Sequence, residues 1–491
     1  MLTLLIFFPL LAACITAFSG RQAGWVAFGF TLIEFALSIF AFNLFEPTAG
    51  LQFLNQCEWI PSLGISYKVG VDGISLLLVL LTTFLIPLII LSSFKREYKN
   101  PALFYSLILF MQFALVGVFS ALDGFLFYIF WELALIPIYL ICLIWGGKER
   151  LRITLKFFIY TLTGSLLMLV AFIWLWHQTP GAHTFDIQAF YALSLTPTEQ
   201  TWIFWAFFLA FAIKMPIFPF HTWQPDTYVD APAPGTMLLS GIMLKMGIYG
   251  VIRWLIPITP GGIQEWGFTA IILSVIGIMY ASVIALVQKD FKRLIAYSSI
   301  AHVGLISAGI FSLSFQGLQG GVIQMISHGI NVVGLFFIAE MISQRTETRE
   351  MGELGGIRVS APQFATFFII ILLASIALPL TNGFVGEFLL INGLFSYDSV
   401  IAAIAGLTII LGAVYMLRAY QKISLGEPNN LTLQFPDLST VEKCVLVPLV
   451  IMIFWIGIYP NTLLDVAGPS IEALQKTIEN SASLTKINYI N

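Results

Sequence analysis

Long apolar runs separated by short polar stretches follow one another along almost the whole chain. Runs of about 17 to 25 apolar residues have the length of a bilayer-spanning helix. Fourteen such spans are predicted, near residues 2 to 18, 24 to 45, 74 to 94, 101 to 121, 123 to 145, 153 to 177, 201 to 224, 234 to 255, 267 to 288, 294 to 314, 318 to 343, 363 to 392, 399 to 421 and 441 to 460. Strands are not expected, because a lipid-facing barrel would show short alternating segments instead. The pattern predicts an all-α polytopic membrane protein.

The composition agrees with the hydrophobic pattern and excludes two classes of protein. The 491 residues are 58% hydrophobic and 10% charged, whereas a soluble domain carries about 25% charged residues. A net charge of -3 offers no basic face for phosphates, so no nucleic-acid partner is expected. The four cysteines show no CxxC spacing, and neither a metal site nor a disulfide framework is therefore predicted.

The distribution of basic residues predicts the orientation of the chain in the membrane. Loops rich in Lys and Arg stay on the cytoplasmic side. If both termini lie outside, fifteen of the 23 basic residues fall inside. Lys68, Arg253 and two lysines of the C-terminal tail fall on the other side. Four basic residues remain within the predicted helices, namely Lys156, Lys214, Lys245 and Arg418.

Six titratable side chains lie deep within the predicted helices. A charge at the bilayer centre costs at least about 2.5 kcal/mol, so each such residue is a candidate for function. Acids, amines and imidazoles placed through a membrane suit proton relay better than redox chemistry. The candidates are Glu132, Lys214, Lys245, His302, His328 and Glu387.

Structural explanations for these residues stay open at this point. Glu132 and Lys214 would also serve as a static buried salt bridge, although such bridges are weak stabilising devices. The two histidines would also fit as core residues bonded to a neighbouring carbonyl. Lys156 lies one turn inside the cytoplasmic end, where its amine can reach water. Glu34, in the second span, has no obvious partner in the sequence.

Two predicted spans carry helix-breaking residues beside a candidate. Pro216 and Pro219 follow Lys214, while Pro379, Asn382 and Gly383 precede Glu387. Proline removes an amide donor and clashes with the preceding turn. Irregular backbone at membrane depth is tolerated only inside protein or beside a watery cavity. Both interruptions therefore mark places where water is expected.

The ionisable residues also suggest an internal repeat. The separations are 170 residues for Glu132 and His302, 172 for Lys156 and His328, 173 for Lys214 and Glu387, and 173 for Lys245 and Arg418. A unit of five helices enters the membrane from the opposite side when it is repeated, so the repeat would be inverted. The predicted regions are three N-terminal helices in 1–100, a first half-channel in 101–255, a second in 267–425, and a last helix with a tail in 441–491.

Six sequence stretches resemble the signatures of one membrane family. They are FWELALIPIYLICLIWGG, KMPIFPFHTWQPDTY, GTMLLSGIMLKMGIYG, DFKRLIAYSSIAHVG, VIQMISHG and NGFVGEF. These motifs resemble those of the antiporter-like subunits of complex I, the proton-pumping NADH:quinone oxidoreductase, and they are most similar to the M, or chain 4, branch. The resemblance covers about residues 65 to 425. It implies fourteen helices with two inverted five-helix repeats.

The resemblance also implies roles for the candidate residues. Glu132 would pair with Lys214 on the broken seventh helix, and Lys245 would be the central relay. His302 and His328 match the connecting histidines, and Glu387 matches an acid that the L and N branches replace by lysine. The chain itself would hold no cofactor, since NADH, FMN, iron–sulfur clusters and quinone would bind to partner subunits.

The resemblance implies membrane-arm partners of the L and N types and a location in the bacterial inner membrane. The PLTNG wording before Glu387 favours a bacterial respiratory enzyme over a photosynthetic one. Two alternatives remain, which are a subunit of an Mrp-type cation/proton antiporter and a subunit of a membrane-bound hydrogenase.

Overall fold

The computed structural model describes the backbone of residues 1–488 and the side chains of residues 1–479. Within this part, seventeen helical segments have seven residues or more. They are α1 (Leu2–Ala17), α2 (Ala23–Leu44), α3 (Gly73–Ser92), α4 (Pro101–Ser120), α5 (Gly124–Trp145), α6 (Arg150–Gln178), α7 (Pro197–Lys214), α8 (Gln224–Asp230), α9 (Ala233–Ile258), α10 (Pro260–Val287), α11 (Phe291–Phe311), α12 (Phe315–Thr346), α13 (Pro362–Ser375), α14 (Asn382–Tyr397), α15 (Ser399–Ser424), α16 (Thr440–Ile458) and α17 (Asn461–Asn488).

Eleven helices in the described part of the chain are long and apolar enough to cross a membrane. Two of them, α9 and α12, are buried among other helices along the whole of their apolar stretch. By contrast, α2, α6, α15 and α16 expose large aliphatic and aromatic side chains along one face. The chain is therefore a multi-span membrane protein with two central helices and a lipid-accessible periphery.

A two-stranded antiparallel hairpin lies between α2 and α3, which corrects the expectation that the chain has no strands. Its strands are β1 (Gln52–Ile60) and β2 (Ile65–Val71). The segment is too polar and too short to span a bilayer, so the hydrophobic pattern had left it as a loop. Gly64, with a φ of 63°, forms the turn, where a Cβ would lie 1.8 Å from the carbonyl oxygen of His183.

The seventh predicted span is shorter than the sequence indicated, because its helix ends at Lys214. Pro216 and Pro219 follow that residue, and the chain passes through irregular turns before α8 begins at Gln224. Both prolines lack the amide hydrogen that a continued helix would use. Within the predicted span of residues 201 to 224, the helix therefore reaches only Lys214, and the chain is irregular from there to the start of α8.

The predicted span of residues 363 to 392 is two helices, α13 and α14, rather than one. Between them, Ala377 and Leu380 adopt left-handed backbone angles, with φ of 57° and 74°. Such conformations strain residues that carry a Cβ and persist only where the surroundings impose them. Ser327 Oγ, on α12, donates to the carbonyl of Asn382 at 3.0 Å, so the break is held by the central helix.

The residues after the last predicted span form a helix, α17, rather than an irregular tail. Its first turns pack on the start of α3, where the Gly73 amide donates to Ser470 Oγ at 3.0 Å. A Cβ at Gly73 would lie 1.9 Å from the carbonyl oxygen of Val466. The close packing of two backbones therefore fixes α17 at this end of the molecule.

Gly383 offers a test of the close packing at the second helix break. We expect Gly383→Ala to lower the stability of the assembled protein by about 1–3 kcal/mol, because overpacked sites force backbone shifts. The added Cβ would lie 2.1 Å from the carbonyl oxygen of Ala374. Gly352→Ala is the matched control, since nothing lies within 4 Å of its Cβ position. The thermal midpoint of the solubilised protein measures the effect, and equal midpoints for both variants would contradict it.

Candidate functional site

Lys245 lies at the centre of the molecule, on the buried helix α9. A π-helical stretch, Leu239–Met243, precedes it, and a second one, Val251–Leu255, follows. π-Helical turns add a residue to the helical repeat and are frequent at functional sites. The side chain is fully buried, and its Nζ donates to the carbonyl of Ser240 at 2.6 Å. The amine therefore remains within the protein and does not extend to either membrane surface.

His328, on α12, links Lys245 to α11. Its Nδ1 lies 2.9 Å from Lys245 Nζ, and its Nε2 lies 3.0 Å from Ser299 Oγ. If the charged lysine donates to Nδ1, the imidazole proton stays on Nε2 and is donated to the serine. An imidazole held on both sides can accept a proton at one nitrogen and release one from the other.

His302 and Glu387 form a second close pair, between α11 and α14. His302 Nδ1 lies 2.9 Å from Glu387 Oε1. The imidazole N–H does not point at the oxygen, so this is a close polar contact rather than an aligned hydrogen bond. Gln324 Nε2, on α12, donates to the same oxygen at 3.3 Å. The carboxyl is buried and faces two polar neighbours.

A small cavity joins the two histidines. Their ring centroids are 6.0 Å apart. The cavity has a volume of about 20 Å³ for water, and both rings line it together with Ser298, Ser299 and Gln324. This volume suffices for about one water molecule. The structure therefore brings four of the six candidates, Lys245, His328, His302 and Glu387, into one chain of neighbours.

Glu132 and Lys214 lie apart from that chain and do not form the ion pair that the resemblance implied. No oxygen of Glu132 lies within 4.0 Å of Lys214 Nζ. The lysine amine lies 5.3 Å from the centroid of the Trp131 ring and has no hydrogen-bond partner among residues 1–479. Glu132 is half-buried, and Ser165 lies beside its carboxyl.

Close packing between α7 and α9 places Lys214 next to the helix that carries Lys245. A Cβ at Gly247, two residues after Lys245, would lie 2.8 Å from the carbonyl oxygen of Phe211 and 3.2 Å from Lys214 Cβ. Only a glycine lets the two backbones approach so closely. The glycine of the LKMG stretch thus places the end of the broken helix against the helix that carries Lys245.

A water-accessible cleft of about 690 Å³ opens at the end of the molecule where α6, α8 and α11 meet. Lys156 lines it, and its Nζ donates to the carbonyl of Thr222 at 2.6 Å and lies 3.5 Å from Asp226. Arg293 contacts the same carboxyl at 2.7 Å. Lys156 therefore reaches the water-filled cleft, as its position one turn inside the helix end predicted.

Sequence reasoning missed three buried ionisable groups. Lys292, assigned to a loop, is buried at the start of α11 and donates to the carbonyl of Ala231 at 2.8 Å. Arg253, at the end of the predicted span of residues 234 to 255 and assigned to the outer side, contacts Asp72 at 2.5 Å between α9 and the start of α3. Glu34 is 1% exposed, and neither carboxyl oxygen has a hydrogen-bond partner in the described part of the chain. Only the position of Glu34 within an apolar run signalled its burial.

The nearly constant separation of 170 to 173 residues between the paired ionisable residues does not align the two helix breaks with each other. The first break follows Lys214, whereas the second, between α13 and α14, precedes Glu387. An offset of 173 residues would carry the first break to positions beyond Glu387. The ionisable residues therefore match at this offset while the backbone interruptions do not.

Among residues 1–479, no group of three or more His, Cys, Asp and Glu side chains is arranged to hold a metal ion. The same side chains in the centre lie singly or in pairs, joined by Lys245 and by hydroxyl and amide groups. The arrangement suits the transfer of protons, because each member titrates or carries an exchangeable hydrogen. The fold and the site together define an antiporter-like membrane subunit.

Comparisons with known proteins identify the family. Residues 121–412 match the NADH:quinone oxidoreductase/Mrp antiporter transmembrane family, and residues 1–118 match the amino terminus of NADH-ubiquinone oxidoreductase chain 4. NADH-quinone oxidoreductase subunit M of Rickettsia typhi is 41% identical over 450 residues, 90% of each chain. Subunit M of Rhodobacter capsulatus is 40% identical over 497 residues, 96% of each chain. The chain belongs to the family of M, or chain 4, subunits of NADH:quinone oxidoreductase.

Solved structures agree with this assignment at the level of the fold. A chain of respiratory complex I from Thermus thermophilus superposes with a TM-score of 0.91 at 30% identity, covering 97% of this chain and 100% of that one. A chain of the Mrp complex from Dietzia sp. DQ12-45-1b superposes with a TM-score of 0.85 at 20% identity, covering 98% and 99%. The second likeness concerns the fold alone.

Proposed function

We propose that this chain moves protons across the membrane as a membrane-arm subunit of NADH:quinone oxidoreductase, coupled to quinone reduction. The observation that carries the proposal is the buried contact of Lys245 Nζ with His328 Nδ1 at 2.9 Å, which leads through the cavity to His302 and Glu387. A lysine and an imidazole so close within the membrane would repel each other if both were charged. One proton can therefore reside on either group.

The 690 Å³ cleft is the proposed site of proton uptake. Its lining carries Lys156, Lys292 and Asp226, and it lies at the end of the molecule to which the basic residues assign the cytoplasm. Protons would pass from there to Lys214 and Lys245, cross laterally through His328 and His302, and reach Glu387. Glu387 would then release them outward or to a neighbouring subunit.

Glu132 and Lys214 are the proposed switch at the beginning of this path. A carboxylate close to a buried lysine favours the charged amine, and its withdrawal favours the neutral amine. The two side chains are not paired in this structure, and the lysine amine faces the Trp131 ring. A movement of Glu132 toward Lys214 would therefore load the lysine, and a movement away would release its proton.

The proposed membrane topology has fourteen spans with both termini on the outer side. Two spans would then consist of paired helices, α7 with α8 and α13 with α14. The proposed regions are three N-terminal helices in 1–100, two inverted five-helix half-channels in 101–255 and 267–425, and the last span with α17 in 441–491. The excess of basic residues at one end of the helices supports this orientation.

The proposed partners are other membrane-arm subunits of the L and N types in a bacterial inner membrane. NADH, FMN, iron–sulfur clusters and quinone would bind to partner subunits. The relatives at 40% and 41% identity support this context over a membrane-bound hydrogenase. They also favour it over a cation/proton antiporter, because the likeness to the Mrp chain is 20% identical.

The proposed switch is tested by Glu132→Gln and Lys214→Ala in the assembled, reconstituted enzyme. Each variant removes a group that must change its charge, so we expect proton pumping and coupled quinone reduction to fall about tenfold or more. Glu58→Gln is the control, because Glu58 is an exposed acid on β1 and lies outside the proposed uptake cleft. Proton uptake into vesicles and quinone reduction by NADH are measured at equal assembly. Near-normal pumping by both variants would refute the assignment.

A further inference from the structure

A second cleft, of about 260 Å³, lies between the ends of α10 and α15. Three basic residues line it, Lys289 just after α10 and Arg418 and Lys422 in the last turns of α15. The rest of its lining is apolar or uncharged and includes Val287 and Tyr415. We call this the cation cleft, because basic side chains line it and no acidic one does.

The charges of the cation cleft are unbalanced. Lys289, Arg418 and Lys422 have no ion pair or side-chain hydrogen bond among the residues whose side chains the structure describes. Arg418 and Lys422 stand four residues apart on one helix, where like charges repel. The arrangement therefore favours an anion in the cleft.

The 690 Å³ cleft, which we call the uptake cleft, provides a comparison within the same molecule. There, basic side chains contact acids, as Arg293 does with Asp226 at 2.7 Å and Arg96 with Glu340 at 3.0 Å. Arg349, which lines the same cleft, contacts Asp290, the residue next to Lys289. Asp290, the acid next to Lys289, is thus already paired with Arg349.

The surface beside the cation cleft is apolar. Ile410, Val414 and Leu417 are exposed along the face of α15 that leads toward Arg418. Val283 and Val287 are exposed at the end of α10, Val287 by 74%. An aliphatic surface that ends in three cations complements a molecule with hydrocarbon chains and an anionic head.

We propose that the cation cleft binds the headgroup of an anionic glycerophospholipid from the leaflet on the side of the uptake cleft. The phosphate oxygens would accept hydrogen bonds from the three basic side chains, and the planar Arg418 guanidinium can bind two of them at once. The acyl chains would lie along the exposed aliphatic face of α15. Basic pockets between membrane helices are suited to such headgroups.

The side chain of Tyr415 lies between the cation cleft and the cavity that joins the two histidines. Tyr415 lines the cation cleft, and its hydroxyl donates to Ser298 Oγ at 3.1 Å. Ser298 lines the cavity between the two histidines. A bound headgroup would therefore hold α15 against α10 beside the relay without belonging to it.

The test compares the purified complex with one that carries Lys289→Gln, Arg418→Gln and Lys422→Gln together. Native mass spectrometry counts the phosphatidylglycerol molecules that each complex retains, and we expect the triple variant to retain one fewer. Titration of delipidated complex with phosphatidylglycerol should show binding weakened on the order of a hundredfold at this site, since each cation near an anionic lipid contributes about fivefold. Phosphatidylcholine should bind equally to both complexes.

A second triple variant, Arg21→Gln, Lys99→Gln and Arg358→Gln, controls for the loss of charge. These three residues are exposed and have no ion pair within residues 1–479. The control should retain every lipid. Equal phosphatidylglycerol retention in the wild type and in the cation-cleft variant would overturn the proposal. Competition by inorganic phosphate alone, or an acidic side chain of a partner subunit in the cleft, would overturn it equally.

Discussion

Replacing Lys245 by arginine is expected to lower proton pumping in the assembled enzyme as strongly as replacing it by alanine. Arginine keeps the positive charge but does not deprotonate in proteins. Lys245 is fully buried, and its amine contacts His328 Nδ1 at 2.9 Å, so a proton relay needs the amine to release its proton there. We expect proton uptake and coupled quinone reduction to fall by about tenfold or more in both variants.

The arginine variant distinguishes a relay from a structural charge. If Lys245 only balanced charge within the helix bundle, Lys245→Arg would retain most of the activity that Lys245→Ala loses. Lys99→Arg is the matched control, because that lysine is exposed at the surface and lies outside the proposed uptake site. Both complexes are compared at equal assembly on native gels. Pumping at the wild-type level in Lys245→Arg would exclude the relay role.

Replacing Glu387 by glutamine is expected to stop proton transfer at the other end of the central chain. Glutamine keeps the shape and a hydrogen-bonding group but cannot take up a proton as a carboxylate does. Glu387 Oε1 lies 2.9 Å from His302 Nδ1 and accepts from Gln324 Nε2 at 3.3 Å. We expect the loss of pumping to match that of Lys245→Ala, about tenfold or more.

The neighbouring glutamine allows the carboxyl to be moved without being removed. The double variant Glu387→Gln with Gln324→Glu places the acid on α12, across the 3.3 Å contact and beside the same cavity. We expect it to recover part of the pumping that Glu387→Gln loses. Gln324→Leu alone controls for the loss of the amide. A double variant as inactive as Glu387→Gln would indicate that the position of the carboxyl on α14 matters and that its presence near His302 does not suffice.

The sequence predicted the six candidate residues, because polar titratable groups in apolar helices are rare and stand out from their surroundings. It did not predict how they group. Lys245 and His328 come from helices 83 residues apart in sequence, yet their nitrogen atoms lie 2.9 Å apart. The sequence also did not predict that Glu132 and Lys214 lie apart, because the direction of a side chain at a helix end depends on where the helix breaks.

The buried groups that the sequence missed share a cause. Lys292 and Arg253 lie close to predicted helix ends, where hydrophobic runs do not tell a buried position from an exposed one. Their partners are the carbonyl of Ala231 and the carboxyl of Asp72, both distant in sequence. The hairpin of β1 and β2 was missed because its short strands mix polar and apolar residues and are joined by backbone pairing, which the hydrophobic pattern does not record.

The sequence by itself determined the class of this protein and the identity of its titratable residues. A bilayer imposes long apolar runs on its spanning helices, and proline disfavours the interior of a helix because it lacks an amide hydrogen. The tertiary structure alone decided that α9 and α12 lie in the centre and that Gly247 and Gly383 let backbones touch. It also decided that three basic residues face one cleft. Packing between helices distant in sequence sets these positions, and no local pattern records it.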